Sequence, residues 1–278
     1  MIAAVVISNV ERIPLTLSYP GGIALIIAFI NCPQQCKKCP WNANLSNKNA
    51  KVIELSPSNL INLVKRYNPD IVFFHGAEPY LYPYSKSLLT AIRREFGNLC
   101  IGMKIIPSIA FKNLFVLNQI VNLIDIILVE VIDIESIEAL TKLKYLFEDM
   151  HLEIVILINI DNIHHIEEFV VMLSNMFKNK IVPINLILAE EVISNSLLLK
   201  IIDKLRNIYP FISIPSSPST DLASILCPRC KTYVILRQSF ITMKINTNSE
   251  GKCKYCGYKC ILRLPKKIVK IPIEEVII

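Results

Sequence analysis

The chain has 278 residues, 53% of them hydrophobic, with nine cysteines and a formal net charge of +7. That length accommodates one large α/β domain and a small appendix, and no uninterrupted apolar run reaches the roughly 18 to 20 residues of a membrane helix, so a membrane span is excluded from the reading. The amino terminus, Met1 to Val10, has neither a basic n-region nor a small-residue cleavage site; the expected location is the cytoplasm, where nine cysteines point to metal binding rather than to a disulfide framework.

In chain order, the first apolar run, Ile23 to Ile30, reads as a buried strand. On the loop beyond it stand Cys32, Cys36 and Cys39 at C-x3-C-x2-C spacing, followed by Pro40, Trp41 and Asn42. A cubane of four irons needs four ligands, so a loop supplying three leaves one iron with a position open to something else. The alternative is three quarters of a structural zinc site, closed by Cys100 or a histidine.

Ser56-Pro57 has the look of a helix start, opening Asn59 to Tyr67, and Ile71 to Phe74 is a short buried strand. The segment His75-Gly76-Ala77-Glu78-Pro79 follows that strand directly. Its small residues let a backbone approach a ligand, and Glu78 can accept hydrogen bonds from an ammonium group; taken alone, the segment is a turn.

The alternation continues as helix Tyr84 to Phe96, stopped at Gly97, and strand Leu99 to Ile106, in which Cys100 reads as a small buried core residue. Then come helix Lys112 to Leu123, strand Asp125 to Val131, helix Glu135 to Asp149, strand Leu152 to Ile160 and helix His164 to Phe177. Strand Pro183 to Leu188, helix Ser194 to Asn207 and a last strand at Phe211 to Ile214 complete the series. Six strand-helix units with near-continuous apolar strands predict an α/β fold built as an open, partial (β/α)6 barrel. Reactive groups are expected where strands end and helices begin. Glu130, Asp133 and Asn159 lie at such ends; as structural residues, Asp133 would cap the next helix and Glu130 would enter a buried ion pair. His164 and His165 are adjacent and point about 100° apart on a helix, so they read as capping or solvated.

Residues 215–220, Pro-Ser-Ser-Pro-Ser-Thr, mark a boundary, giving a main domain over 1–214, a linker over 215–226 and a small β-rich domain over 227–278. In the last, Cys227-Pro228-Arg229-Cys230 and Cys253-Lys254-Tyr255-Cys256 are separated by 22 residues. Two C-x2-C hooks flanking a β-rich span make a zinc-ribbon-like site of four thiolates, for zinc or for iron of the rubredoxin kind. A segment too small for its own core would depend on that metal for folding. Cys260 reads as a free thiol or as a ligand that swaps into the site.

The run Tyr19 to Phe29 leading into Cys32, Cys36, Cys39 and Asn42, together with Gly76-Ala77-Glu78-Pro79 at the next strand end, resembles the radical S-adenosylmethionine (SAM) superfamily. It looks most like the glycyl-radical (pyruvate formate-lyase type) activating enzymes. With the terminal hooks and Ile235-Leu236-Arg237 included, it resembles the AmmeMemoRadiSam-system radical SAM proteins from about Pro20 to Cys260. Lys38 stands where many members have an aromatic residue, Asn31 where they have glycine, and Ala77 where the segment's second glycine falls.

The resemblance implies a [4Fe-4S] cluster on Cys32, Cys36 and Cys39, with SAM on the open iron. Gly76, Ala77, Glu78 and Pro79 would lie at its amino group, and Glu130, Asp133 and Asn159 at its ribose and carboxylate. It also implies a one-electron donor such as ferredoxin or flavodoxin, and a radical that abstracts hydrogen from a substrate.

Residues 227–278 hold 11 basic and 3 acidic residues, a net of +8, so the rest of the chain has 19 and 20, a net of −1. Arg263, Lys266, Lys267 and Lys270 are the densest patch. A basic metal ribbon can hold RNA, DNA or an acidic protein surface, which makes a protein or RNA substrate docked by the ribbon the expected partner; a solvated face offsetting the thiolate charge is the plainer reading. Two functions thus stand: a radical SAM enzyme, or a metal-stapled nucleic-acid or protein adaptor on a similar scaffold.

Overall fold

The computed structural model describes residues 2–30, 52, 54–158, 162–188 and 194–277. Within them the chain is α/β. A mostly parallel sheet of nine strands is accompanied by a small antiparallel one.

The parallel part consists of β2 (Ile23–Phe29), β3 (Ile71–Gly76), β4 (Cys100–Ile105), β5 (Ile126–Val131), β6 (His151–Ile158), β7 (Ile184–Leu188) and β8 (Ile212–Ser213), hydrogen-bonded in that sequential order. Sequential order with right-handed crossovers places every connecting helix on one face. The packing shows it: Leu60 and Val64 of α1 (Pro57–Tyr67), Leu88 and Ile92 of α2 (Pro83–Phe96), Ile137 and Leu140 of α5 (Ile134–Leu143), Val170 and Leu173 of α6 (Ile166–Met176), and Leu198 and Ile202 of α7 (Asn195–Ile208) share one core with Ile27, Phe74, Met103, Val129, Ile156 and Leu186. Side chains one position along each strand face the other way. There Ala24, Phe73, Cys100, Leu128, Val155 and Ile187 pack beneath Val10, Ile13 and Leu15.

Among the described residues, two strands of the large sheet escaped the sequence reading. β1 (Ile2–Asn9) runs antiparallel to β2, and β12 (Glu274–Val276) runs antiparallel to β1 at the edge. The helix expected over Lys112 to Leu123 is broken into α3 (Pro107–Lys112), α4 (Leu114–Asn118) and a 3-10 turn at Val121–Leu123. The break is at Asn113, whose side chain bonds the Ile109 carbonyl at 2.9 Å, an alternative to helical continuation open to short polar side chains.

The stretch read as a linker is tied down. It carries α8 (Thr220–Ala223) and β9 (Ile225–Leu226), and the Pro215 and Ser217 carbonyls accept from the Phe240 and Ser239 amides. β9 pairs with β10 (Tyr233–Gln238), which pairs with β11 (Ile241–Ile245), all antiparallel.

This ribbon and the tail after it lie under the amino-terminal ends of the parallel strands. The Leu262 amide donates to the Leu17 carbonyl, and the Lys266 amide to Asp70 just before β3. Ile181 before β7 and Phe211 before β8 share a core with Ile235 and Ile261. No described helix is long and apolar enough to cross a membrane.

Candidate functional site

The two C-x2-C hooks have the same backbone plan. In the first, the Cys227 amide donates to the Thr232 carbonyl at 2.8 Å and the Lys231 amide to the Cys227 carbonyl at 2.9 Å. In the second, Cys253 donates to Tyr258 at 2.8 Å and Gly257 to Cys253 at 2.9 Å. Each turn closes on a residue of left-handed φ, Lys231 at +59° and Gly257 at +73°; the glycine adopts it freely and the lysine at a cost.

The hooks face each other so that all four sulfurs lie within 4.8 Å of one another, with Cys227 and Cys256 at 3.4 Å and Cys230 and Cys253 at 3.6 Å. A tetrahedral ion with bonds of about 2.3 Å needs sulfurs about 3.8 Å apart. The donor set thus fits a four-thiolate zinc or iron ion, and Cys227, Cys230, Cys253 and Cys256 can hold one.

The Thr232 hydroxyl, which the sequence reading passed over, lies 3.0 Å from the Cys230 sulfur and holds that thiol down to about 6. Cys260 is fully buried with its sulfur 3.4 Å from the Tyr258 carbonyl and is not one of the four. Cys100 is buried in the sheet as expected; it begins β4, at the end of the sheet opposite that from which Ile30 leaves β2.

A second constellation lies at the carboxyl ends of β3, β4 and β5. Gly76 has φ +91°, and a Cβ there would meet the Phe29 carbonyl oxygen at 2.4 Å, so the close approach of β2 and β3 requires glycine. Ala77 is buried, and Pro79 opens a 3-10 turn over Pro79–Leu81 whose preceding residue, Glu78, has φ +30°.

The Glu78 side chain is fully buried, its oxygens accepting from the Ile106 amide at 3.1 and 3.2 Å. Beside it is Lys104, 2% exposed, with its ammonium 2.6 Å from Glu130 and 3.5 Å from Glu78. Burial raises the Glu78 carboxyl to about 7, with Lys104 opposing the rise. Burial together with the Lys104 charge lowers the neighbouring His75 imidazole to about 3. His75 is therefore neutral at physiological pH.

Glu78 and Glu130 are thus brought together, and the ammonium that Glu78 receives here is that of Lys104. Asp133 caps α5, accepting from the Ser136 amide at 2.8 Å. His164 and His165 are exposed on a 3-10 turn. Cys32, Cys36, Cys39 and Asn159 lie outside the described residues. Lys104 was legible in principle, as the lone charge in the apolar strand Ile101 to Ile106.

The ribbon expected to dock a substrate is at the other end of the sheet from this constellation. The ribbon lies under the amino-terminal ends of the strands, whereas Gly76 to Pro79 and Glu130 lie at the carboxyl ends. Six-residue strands at about 3.3 Å per residue put roughly 20 Å between the two levels. The ribbon bonds the segment from Leu17 to Tyr19. No protein-family model matches this chain, and no curated protein matches it in sequence.

Proposed function

We propose that this chain is a radical SAM enzyme: a [4Fe-4S] cluster on Cys32, Cys36 and Cys39 and SAM on its open iron, within a partial barrel whose mouth is formed by the carboxyl ends of β2 to β7. The observation that carries the reading is the register of β2 on β3, Phe29 opposite Gly76. It starts the cysteine loop, three residues after Phe29, at the same end of two neighbouring strands as the Gly76 to Pro79 turn. Ligand sites of parallel α/β folds gather at that end.

When bound, the cluster and SAM supply one-electron reductive cleavage to a 5′-deoxyadenosyl radical that abstracts hydrogen from a substrate, the electron coming from a donor of the ferredoxin or flavodoxin kind. The chain's own residues bind and orient. Gly76 brings the β3 backbone against β2. Glu78 and Glu130 supply carboxylates at the mouth, and Asp133 fixes the start of α5. The ribbon ion, zinc or iron, is structural.

Anaerobic reconstitution tests this. The expected result is about four irons per chain beyond the ribbon ion, a rhombic electron paramagnetic resonance signal on reduction that changes when SAM is added, and release of 5′-deoxyadenosine, all lost in Cys36→Ala. Zinc alone at both cysteine groups, or a Cys36→Ala chain that keeps its iron, would leave a metal-stapled adaptor instead.

A further inference from the structure

Lys104 occupies the middle of three hydrogen-bonded strands, β3, β4 and β5, and its ammonium is within reach of a carboxylate from each side. Taking a lysine and two glutamates out of water is expensive, and apolar residues of similar volume serve a purely structural core at least as well. The cost is incurred at the strand ends, beside a turn whose geometry is itself unfavourable: Glu78 is a non-glycine residue at φ +30°. Among the described residues, the Ile106 amide and Lys104 hold its side chain in place.

We propose that Lys104 is a positioning residue of the SAM site: by bridging Glu78 and Glu130 it holds the carboxylate of the strand-end turn in the orientation that receives an alkylammonium group. The proposal rests on the radical SAM reading. The role assigned to Lys104 is exerted through Glu78.

Among the described residues, the groups facing Glu78 are His75 on its own strand, Tyr80 in the turn, Lys104 and the Ile106 amide from β4 and the residue after it, and Glu130 from β5. Of these only Lys104 is a cation at neutral pH, so it favours the ionised form of Glu78 that a ligand ammonium needs. Affinity for SAM should therefore rise with pH as Glu78 ionises, and removing Lys104 should move that rise to higher pH.

The test is SAM affinity, by equilibrium binding to the anaerobically reconstituted full chain, across pH 5.5 to 9. Lys104→Met is expected to weaken binding at least about tenfold at pH 7, the scale of a lost charge-assisted hydrogen bond, and to shift the affinity midpoint upward. Lys104→Arg should recover most of the affinity and the original midpoint. If Lys104→Met does not fold, Glu130→Gln serves: it unties the other end of the bridge, so that Lys104 no longer fixes Glu78 and binding weakens, while loss of the Glu130 charge moves the affinity midpoint downward, opposite to Lys104→Met.

Wild-type affinity and midpoint in Lys104→Met would overturn the proposal. So would an equal loss in Lys104→Met and Lys104→Arg with the midpoint unmoved, the pattern of a merely structural defect. A wild-type chain that holds its iron yet binds no SAM is a different failure, that of the enzyme reading itself.

Discussion

At the strand ends, two buried groups titrate in opposite senses. His75 is lowered from 6.5 to about 3, so the unfolded chain binds its proton first. Its contribution is complete above pH 6.5 and is lost as pH falls toward 3. Glu78 is raised from 4.5 to about 7, so the folded chain binds its proton first. Its contribution is complete below pH 4.5 and is lost as pH rises toward 7. Between pH 4.5 and 6.5 the two slopes oppose each other, which hides both in the wild-type curve. At about 1.4 kcal/mol per unit, the windows amount to on the order of 5 kcal/mol for His75 and about 3 kcal/mol for Glu78. Urea unfolding of Glu78→Gln and His75→Phe from pH 4 to 8 should therefore give difference curves of opposite sign. Glu78→Gln gains on wild type as pH rises; His75→Phe gains as pH falls. Difference curves that are flat in both variants would show the two groups to be solvated.

Secondary structure decides which charges can meet. On parallel strands the inward positions recur every second residue. This puts Lys104, Glu130, Glu153 and Asn185 on the face of Phe73 and Leu128 rather than on the helix face. That alternation was hidden in the sequence because both faces are apolar, so strand positions were legible while their facing was not. The hooks were fully legible, since C-x2-C spacing fixes their local geometry. β12 was not, because Glu274 to Val276 is too short and too exposed to carry a strand pattern and exists only by pairing with β1. Asp133 has an element-level role as a helix cap. Its carboxylate accepts from both the amide and the hydroxyl of Ser136, at 2.8 and 2.7 Å, as an N-cap of α5. Asp133→Ala should cost about 1 kcal/mol of unfolding free energy and Asp133→Ser much less. A further expectation is that Asp133→Ser leaves SAM affinity within about twofold, a change worth roughly 0.4 kcal/mol. A large affinity loss in a stable Asp133→Ser chain would return Asp133 to the site.

Across the whole molecule, the four-cysteine ribbon is the floor of the sheet. Glu153, on β6 and fully buried, accepts from the Leu17 and Ser18 amides at 3.1 and 3.0 Å and from that of Thr16. On their other side, residues 17 and 19 bond Leu262 and Arg263 of the ribbon, and Leu17 packs against Cys227, Cys253 and Ile261. A second buried link joins Glu11 to Thr242 and to Arg237, whose side chain is fully buried. The tail then returns through Lys266 on Asp70 to β12 on β1. A buried carboxylate satisfied by three amides of an irregular segment stays satisfied only while that segment is held down. The ribbon holds it, and an ion on the four thiolates would close the ribbon. Metal removal should therefore destabilise the main sheet as well as the ribbon. With the ion chelated, hydrogen exchange at Thr16, Leu17 and Ser18 should accelerate together with that of the ribbon hooks, and the β6 and β7 amides should lose protection. The paired Cys227→Ser and Cys253→Ser chain should behave the same way without any chelator. A chain whose hooks exchange freely while β6 and β7 keep full protection would show that the floor stands without its metal.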